Sequence, residues 1–327
     1  MKAVVVAEPG QARSVRCTSL PIPQPESGQV LIKVAAAPIH PADLSIIKQI
    51  YGDKPLDLPA PGLEGAGTVV SSGGGLLGWL LTGKRVAFRP VKCGSWGEYA
   101  VARAKDCIIL QANISLEQGS MLIINPFTCC MFMDLIKSKT KPAVIQTGAA
   151  STCGKMLFRS CKYEKIPIIN IVYKPDHIAL LRELGAEYVL CSADSDFNEQ
   201  LRALSEELKP NIAFDCVSGP ITGQILSNLQ AGSVLYLYGF LSMRPVEEVQ
   251  AEDLLFKGKR IEGLILRDWI REKGAFTAMK YAATVQRLFH EVFYSTVNHS
   301  FLLDDIQSAL ESFRSERSLG KVLLTPS

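Results

Sequence analysis

The chain has 327 residues, 47% hydrophobic and 20% charged, which excludes intrinsic disorder, collagen and coiled coil and suggests two domains. Its 35 basic and 32 acidic side chains give a formal charge of +3, too small an excess for a nucleic-acid or anionic-membrane surface. No run reaches the ~18 apolar residues of a membrane span, and the best candidate, Met121 to Met133, is expected to be a buried element because polar residues interrupt it.

Residues 1 to about 118 combine short β patterns with Gly/Pro turns, which is typical of an antiparallel, barrel-like domain. Strands are predicted in AVVVAE, QVLIKVAAAPI, GAGTVVSS and RVAFRPV. The pattern contains one short helical stretch, from Pro41 to Gln49, and a glycine-rich loop from Ser71 to Gly78.

From about Pro142 strands and helices alternate, which indicates a doubly wound α/β sheet. The predicted strands are PAVIQT, IPIINIVY, AEYVL, NIAFDCV and SVLYLYG, followed after Lys259 by RIEGLIL, a long helical region and a terminal GKVLL strand. Helices are predicted from Lys155 to Glu164, over HIALLREL, over the run containing Phe197, Leu201, Leu204 and Leu208, and from Ile221 to Leu229. Gly185 is expected to end the second of these, and Asp196 and Glu199 to form a capping box at the third.

The nine cysteines show neither a disulfide framework nor a Cys-x-x-Cys metal knuckle. The N-terminal MKAVVVAEPG has the features of neither a secretory signal nor a transit peptide. We therefore expect a reducing compartment: a cytoplasmic protein, or a mitochondrial one if a presequence has been removed.

The first strand–helix turn of the α/β region is rich in small residues. Gly148, Ser151 and Gly154 form a loose version of Gly-x-Gly-x-x-Gly, whose glycines let the backbone approach a pyrophosphate at a helix N-terminus. The strand before it and the helix after it favour dinucleotide binding. A small-residue turn without a ligand is the alternative.

The second strand of the region ends at Tyr173 and Lys174. An NAD-selective site usually presents an acidic residue here to bond the ribose 2′-OH, whereas a phenol and a cation suit a 2′-phosphate. With His177 one turn further on, the residues predict NADPH. The alternative for Lys174 is an ordinary solvated lysine, and Asp176 either caps its helix or reaches the ribose.

The chain offers no zinc pattern. A catalytic zinc needs three Cys, His or carboxylate ligands, and a structural zinc needs four closely spaced cysteines. Cys93 and Cys107 are isolated, and Cys129 and Cys130 are adjacent rather than spaced. The chemistry is therefore expected to come from the organic cofactor and a protein acid.

Six segments resemble, in the same order over nearly the whole chain, the zinc-independent medium-chain dehydrogenase/reductases: PIHPADLSIIKQIYG, PGLEGAGTVV, GSWGEYAV, NPFTCCMFMDL, LRELGAEYVL and LGKVLL. Within these the chain is most similar to the 2-enoyl thioester reductases and next to the NADPH:quinone oxidoreductases. The resemblance implies an α/β protein: a GroES-like β-barrel catalytic domain over residues 1–118, a Rossmann cofactor domain with a doubly wound parallel sheet over 119–260, and a return to the catalytic domain over 261–327.

The resemblance also assigns site residues. Tyr51 matches the proton-donating tyrosine of the enoyl thioester reductases, and a phenol with a pKa of about 10 stays protonated at neutral pH; a loop tyrosine packing over the cleft is the alternative. His40 is implied to be a hydrogen-bonding residue of the substrate cleft. The residues implied to border the nicotinamide are Asn125, Thr128, Tyr238, Gly239, Leu264 and Leu266. Gly148 stands where Ala is commoner, and Cys153 where a small aliphatic residue is usual.

The leading hypothesis is an NADPH-dependent reductase of conjugated C=C–C=O groups in acyl thioesters of fatty acid metabolism. The alternative is an NADPH:quinone or enone oxidoreductase, and a third hypothesis is a nucleotide-binding protein with little catalysis. An acidic acyl carrier protein as partner would require basic residues near the cleft, for which the candidates are Lys48, Lys54, Arg244 and Arg267. The resemblance suggests a homodimer formed through a sheet-edge strand such as SVLYLYG.

Overall fold

The computed structural model describes residues 1–8, 14–48, 60–91, 93–315 and 318–326. The chain forms two compact units, one of Met1–Pro126, Ala282–Phe289 and Phe293–Ser327, the other of Phe127–Tyr281 and His290–Val292. The boundaries expected at residues 118 and 260 stay predictions about domain organisation.

Short, mostly antiparallel strands dominate the first unit. Its strands are β1 (Lys2–Val6), β2 (Val15–Ser19), β3 (Gln29–Pro38), β4 (Gly65–Ser72), β5 (Arg85–Phe88), β6 (Tyr99–Arg103), β7 (Ile108–Ile109), β14 (Val297–Leu302) and β15 (Lys321–Thr325). Strands β1 and β2 pair with each other, and the others form a seven-stranded sheet in the order β14-β15-β3-β4-β5-β7, with β6 paired to β3. The predicted β domain is confirmed, and GAGTVVSS matches β4 from end to end.

Helices in the first unit are α1 (Pro41–Ile47), α2 (Leu76–Leu81), α3 (Leu116–Gly119) and α12 (Ile306–Ser315). The prediction of a single helix before residue 118, and of a loop up to Gly78, was wrong. Gly74 and Gly75 adopt positive φ angles of 116° and 90°, so the chain turns there, and α2 begins at once because Leu81 packs into the apolar cluster on β3, β4 and β5.

The C-terminal segment completes the core of the first unit. Leu310 and Phe313 of α12 share one apolar cluster with Leu44 of α1 and the fully buried Trp96. Burial of a large apolar side chain contributes roughly 1.5–3 kcal/mol, so this cluster holds the C-terminal return in place.

The second unit contains a six-stranded parallel sheet. Its strands are β8 (Val144–Gln146), β9 (Ile168–Val172), β10 (Tyr188–Cys191), β11 (Ile212–Asp215), β12 (Val234–Leu237) and β13 (Arg260–Gly263). The spatial order is β10-β9-β8-β11-β12-β13. Numbered from β8, this is the 3-2-1-4-5-6 order of a Rossmann domain, which confirms the predicted doubly wound sheet.

Helices of the second unit are α5 (Thr152–Tyr163), α6 (Asp176–Glu183), α7 (Phe197–Leu208), α8 (Pro220–Asn228), α9 (Ala251–Leu255) and α10 (Leu266–Lys273). Helix α4 (Ile124–Lys137) carries the chain from the first unit into the second, and α11 (Ala275–Arg287) carries it back. Helix α4 covers most of the stretch predicted to be a buried element, and Phe132 within it is fully buried. None of the helices in the described part of the chain has the length and apolarity needed to cross a bilayer.

Three details of the second unit test the local predictions. Gly185 ends α6 as predicted, with a φ of 87°. The capping box at α7 was wrong, because the Asp196 carboxylate accepts a hydrogen bond from the Gln200 side chain, 2.7 Å away, and caps no backbone N–H. The SVLYLYG segment is not an edge strand, since β12 pairs with both β11 and β13; within the described residues the sheet ends at β10 and β13.

A buried polar cluster lies at the centre of the first unit. His40 Nε2 lies 2.7 Å from Glu64 Oε1, and Lys321 Nζ lies 2.9 Å from His40 Nδ1. A lysine can only donate, so Nδ1 accepts and Nε2 carries the hydrogen that is donated to Glu64. Glu64 Oε2 accepts the backbone N–H groups of Ile123 and Ile124 at 2.9 and 3.0 Å, where α4 begins. The cluster therefore joins β15, α1, the start of β4 and α4.

With His40 neutral, the negative charge of Glu64 and the positive charge of Lys321 balance each other. Burial lowers the pKa of His40, and the neighbouring Lys321 lowers it further against the opposing pull of Glu64. Burial raises the pKa of Asp43 to about 7, although the His40 amide and Lys321 oppose the shift. Asp43 Oδ2 accepts the His40 N–H at 2.7 Å, whereas its Oδ1 has no hydrogen-bond partner among the described residues.

Replacing Lys321 by Met should destabilise the protein strongly. The substitution removes the donor to His40 Nδ1 and leaves the Glu64 carboxylate buried without the cluster's cation, and an uncompensated buried charge typically costs about 3–5 kcal/mol. The free energy of unfolding measured with urea should fall by this amount. Lys2→Met, which breaks an exposed ion pair with Asp304, is the control and should leave the midpoint almost unchanged. Equal midpoints for wild type and Lys321→Met would contradict the role of the cluster.

Asp43→Asn should change how stability depends on pH. The carboxyl titrates near 7 when folded and near 4 when unfolded, so between these values the folded protein binds more protons and loses stability as the pH rises, by at most about 1.4 kcal/mol per pH unit. Asn cannot ionise, so the free energy of unfolding of the variant should rise relative to that of the wild type between pH 4 and pH 7. The His40 contribution has the opposite sign, but it is present in both proteins and cancels in the difference. A difference independent of pH would refute the shifted carboxyl.

Candidate functional site

The candidate site begins where the order of the parallel sheet reverses. Strand β8 pairs with β9 on one side and with β11 on the other, so the connections that leave the carboxyl ends of β8 and β11 run to opposite halves of the sheet. In open α/β sheets ligands bind at this switch point. Here the small-residue turn follows β8 directly.

The glycines of the turn pack too closely against neighbouring atoms to carry a side chain. Gly148 has a φ of 59°, and a Cβ on it would lie 2.6 Å from Cys216 Sγ. A Cβ on Gly154 would lie 2.5 Å from the Gly148 carbonyl oxygen. Ser151 is the N-cap of α5, and its Oγ accepts the Gly154 N–H at 3.0 Å. The turn thus presents closely approaching backbone at a helix N-terminus, which is the arrangement that a pyrophosphate requires.

Two buried polar groups hold the loops at the switch point. Gln146 Nε2 donates to the Gly154 carbonyl oxygen at 3.0 Å and to Asn170 Oδ1 at 2.7 Å, so it fixes the turn from below. The Asp215 carboxylate, fully buried at the end of β11, accepts the Thr147 and Thr222 hydroxyls at 2.7 Å each. Neither group was identified from the sequence, because both lie inside strand segments that look merely apolar.

Basic groups collect at the carboxyl end of β9. Tyr173 and Lys174 follow this strand and are exposed, as expected for residues that meet a ligand from solvent. Partial burial lowers the pKa of His177, and the nearby ammonium groups of Lys174 and Lys155 lower it further, against Asp176. Lys155, in the first turn of α5, therefore joins Lys174 and His177 in this basic group. Its only signal in the sequence was its position directly after Gly154.

Asp176 does not cap its helix. It is the first residue of α6, whose N-cap is Pro175, and no side-chain cap bond is present there. The capping alternative was wrong, and the charge of Asp176 raises the pKa of His177.

The residues implied to border the nicotinamide are distributed over several segments. Tyr238 and Gly239 follow β12, Leu264 is buried after β13, and Leu266 begins α10. Asn125 and Thr128 occupy the first turns of α4, Asn125 in the first unit and Thr128 in the second. Tyr238 packs edge-on against Phe132, with ring centroids 4.8 Å apart. Burial raises the pKa of Tyr238, and the Cys216 and Cys153 thiols beside it raise it further.

His40 and Tyr51 belong to the first unit. His40 is nearly fully buried, and both of its ring nitrogens are bonded within the protein, to Glu64 and Lys321. Tyr51 and Lys54 lie outside the described residues. Within the described ranges no three His, Cys, Asp or Glu residues come together as they would around a metal ion.

Comparison with known families matches both units. Residues 26–112 match the alcohol dehydrogenase GroES-like domain, and residues 153–281 match the zinc-binding dehydrogenase domain. The human mitochondrial enoyl-[acyl-carrier-protein] reductase is 28% identical over 333 residues, which cover 99% of this chain and 88% of the human protein.

Among solved structures, a putative NADPH:quinone reductase from Mesorhizobium loti superposes with a TM-score of 0.91 and 30% identity, covering 100% of this chain and 98% of that one. A mycobacterial protein solved in complex with NADPH has a TM-score of 0.85 at 22% identity, with full coverage of both chains. The second likeness establishes the shared fold.

Proposed function

We propose that this chain, which belongs to the medium-chain dehydrogenase/reductase superfamily of oxidoreductases, is an NADPH-dependent reductase of conjugated C=C–C=O groups, acting on trans-2-enoyl thioesters. The observation that carries the proposal is the turn at the β8–β11 switch point, where small residues pack closely at the N-terminus of α5 and the neighbouring strand ends beside Lys174, His177 and Lys155. The similarity to the human enoyl-[acyl-carrier-protein] reductase supports the substrate class.

The proposed roles follow the geometry of the second unit. Gly148, Ser151 and Gly154 hold the pyrophosphate, and Lys174 with His177 binds the 2′-phosphate, assisted by Tyr173 and Lys155. The residues proposed to border the nicotinamide are Asn125, Thr128, Tyr238, Gly239, Leu264 and Leu266. When bound, NADPH supplies the hydride that adds to the β-carbon of the substrate.

Tyr51 is proposed to give the proton that completes the reduction. Hydride addition at the β-carbon moves charge onto the carbonyl oxygen, and the α-carbon then takes up a proton. A phenol is protonated at neutral pH and serves as the general acid. His40 is proposed to act indirectly, by fixing Glu64, and no zinc is proposed there because both of its ring nitrogens already bond protein groups.

Quinone reduction is the second candidate. The solved structure with the higher identity is a putative NADPH:quinone reductase covering the whole of this chain. Hydride transfer to a quinone needs no dedicated carbon acid, so Tyr51 discriminates between the two candidates.

The proposed assembly is a homodimer formed through the edge strand β13. Leu255 and Phe256, which precede β13, are 74% and 83% exposed, and such apolar exposure marks a contact surface. An acyl carrier protein remains a proposed partner. Of its candidate contacts, Arg244 is paired with Glu247 at 2.7 Å and Arg267 contacts Asp268, which leaves the exposed Lys48 as the stronger candidate among the described residues. The proposed compartment is the cytoplasm, with the mitochondrion as the alternative suggested by the named human relative.

Tyr51→Phe should separate the two candidate substrates. We expect NADPH consumption with 2-hexenoyl-CoA to fall by about 10²–10⁴-fold, because the variant lacks the general acid. Consumption with an ortho-quinone and the affinity for NADPH should not change. Tyr163→Phe, at an exposed tyrosine of the second unit, is the control. Undiminished thioester turnover by Tyr51→Phe would show that Tyr51 is not the proton donor. Turnover of the quinone but not of the thioester by the wild-type protein would favour the second candidate.

Lys174→Ala should weaken NADPH binding selectively. Loss of a charge-assisted hydrogen bond to the 2′-phosphate costs roughly 1.5–3 kcal/mol, so Kd for NADPH should rise about 10-fold or more, while Kd for NADH should stay the same. Lys105→Ala, an exposed lysine of the first unit, is the control in the same fluorescence titration. An equal rise in Kd for NADPH and for NADH would show that Lys174 does not bind the 2′-phosphate.

A further inference from the structure

Two thiols of the second unit face each other beside the small-residue turn. Cys129 Sγ, on α4, lies 3.9 Å from Cys153 Sγ, in the first turn of α5, and also contacts the Cys153 carbonyl oxygen at 3.5 Å. A disulfide bond is about 2.05 Å long, so the sulfur atoms need to approach by roughly 2 Å before the bond can form. Both cysteines are free thiols.

The two thiols differ in exposure. Cys129 is fully buried, whereas Cys153 is partly exposed between Ser151 and Gly154. Burial raises the pKa of Cys129, and the neighbouring Cys153 raises it further. Because Cys129 is buried, an oxidant from solvent meets Cys153 first. An accessible thiol with a second thiol behind it is the arrangement of an attacking and a resolving cysteine.

Neighbouring thiols are engaged elsewhere. Cys216 Sγ lies within hydrogen-bonding distance of the Thr147 hydroxyl and carbonyl oxygens, at 3.7 and 3.6 Å. The pKa of Cys130, the residue after Cys129, is raised by burial and by the charge of Asp134, and the charge of Lys280 lowers it. Cys129 is therefore the thiol placed to resolve an oxidised Cys153.

We propose that Cys153 and Cys129 form a reversible disulfide when the protein meets a peroxide. The Cys153 sulfur attacks one peroxide oxygen, the O–O bond breaks, and the product is a sulfenic acid plus one water molecule, which takes up the thiol proton. Cys129 then attacks the sulfenic sulfur, the S–S bond forms, the S–O bond breaks, and a second water molecule leaves with the second thiol proton. Two electrons pass from the thiols to the peroxide, and a dithiol returns them by exchange. This chemistry does not depend on the proposed function.

The test is peptide mapping of the full-length protein after hydrogen peroxide treatment, without reduction. We expect a cross-link between the peptide that ends at Lys137 and the peptide that ends at Lys155, with the loss of two hydrogen atoms, and its disappearance after dithiothreitol. Cys130→Ser is the matched control, because it removes the adjacent thiol of the same peptide and should keep the cross-link. Cys129→Ser and Cys153→Ser should both abolish it.

Three results would overturn the proposal: no cross-link in the wild-type protein, a cross-link that persists in Cys129→Ser, or overoxidation of Cys153 to a sulfinic acid without cross-linking. If Cys129→Ser does not fold, fragmentation of the cross-linked wild-type peptide on both sides of residue 129 identifies the partner of Cys153, because the same peptide also contains Cys107 and Cys130. A modified Cys129 supports the proposal, and a modified Cys130 refutes it.

Discussion

The burial of Glu64 is the constraint on which the first unit depends. A carboxylate without exposure to water has to be matched by donors, and this one receives them from His40 and from the backbone N–H groups that begin α4. Lys321 completes the charge balance from the last strand of the chain. Segments far apart in the sequence are thereby held together, and α4, which leads into the second unit, starts at a fixed point.

A second buried carboxylate has the corresponding role at the switch point of the parallel sheet. Asp215 binds the hydroxyls of Thr147 and Thr222, so the loops that follow β8 and β11 are ordered together. Gln146 supports the turn from within the sheet. The close backbone approach at Gly154 is thus a consequence of polar groups buried beneath it, and a ligand that binds there meets a preorganised surface.

The same turn connects the proposed reduction with the proposed oxidation of thiols. Cys153 lies in this turn, and its sulfur faces Cys129 on α4. It adds to the site a two-electron chemistry that the hydride transfer does not use.

The sequence alone determined the features that depend on short segments of the chain. Alternating strands and helices predicted the Rossmann sheet, and Gly148 and Gly154 predicted the close-packed turn at the N-terminus of α5, because periodicity and glycine requirements are properties of short segments. The His40–Glu64–Lys321 cluster, the place of Lys155 beside His177, and the internal position of β12 were decided only by the tertiary structure. The buried hydrogen bond between Lys321 and His40 joins residues 281 positions apart, and a strand becomes central or peripheral only through its neighbours, so neither leaves a local signal in the sequence.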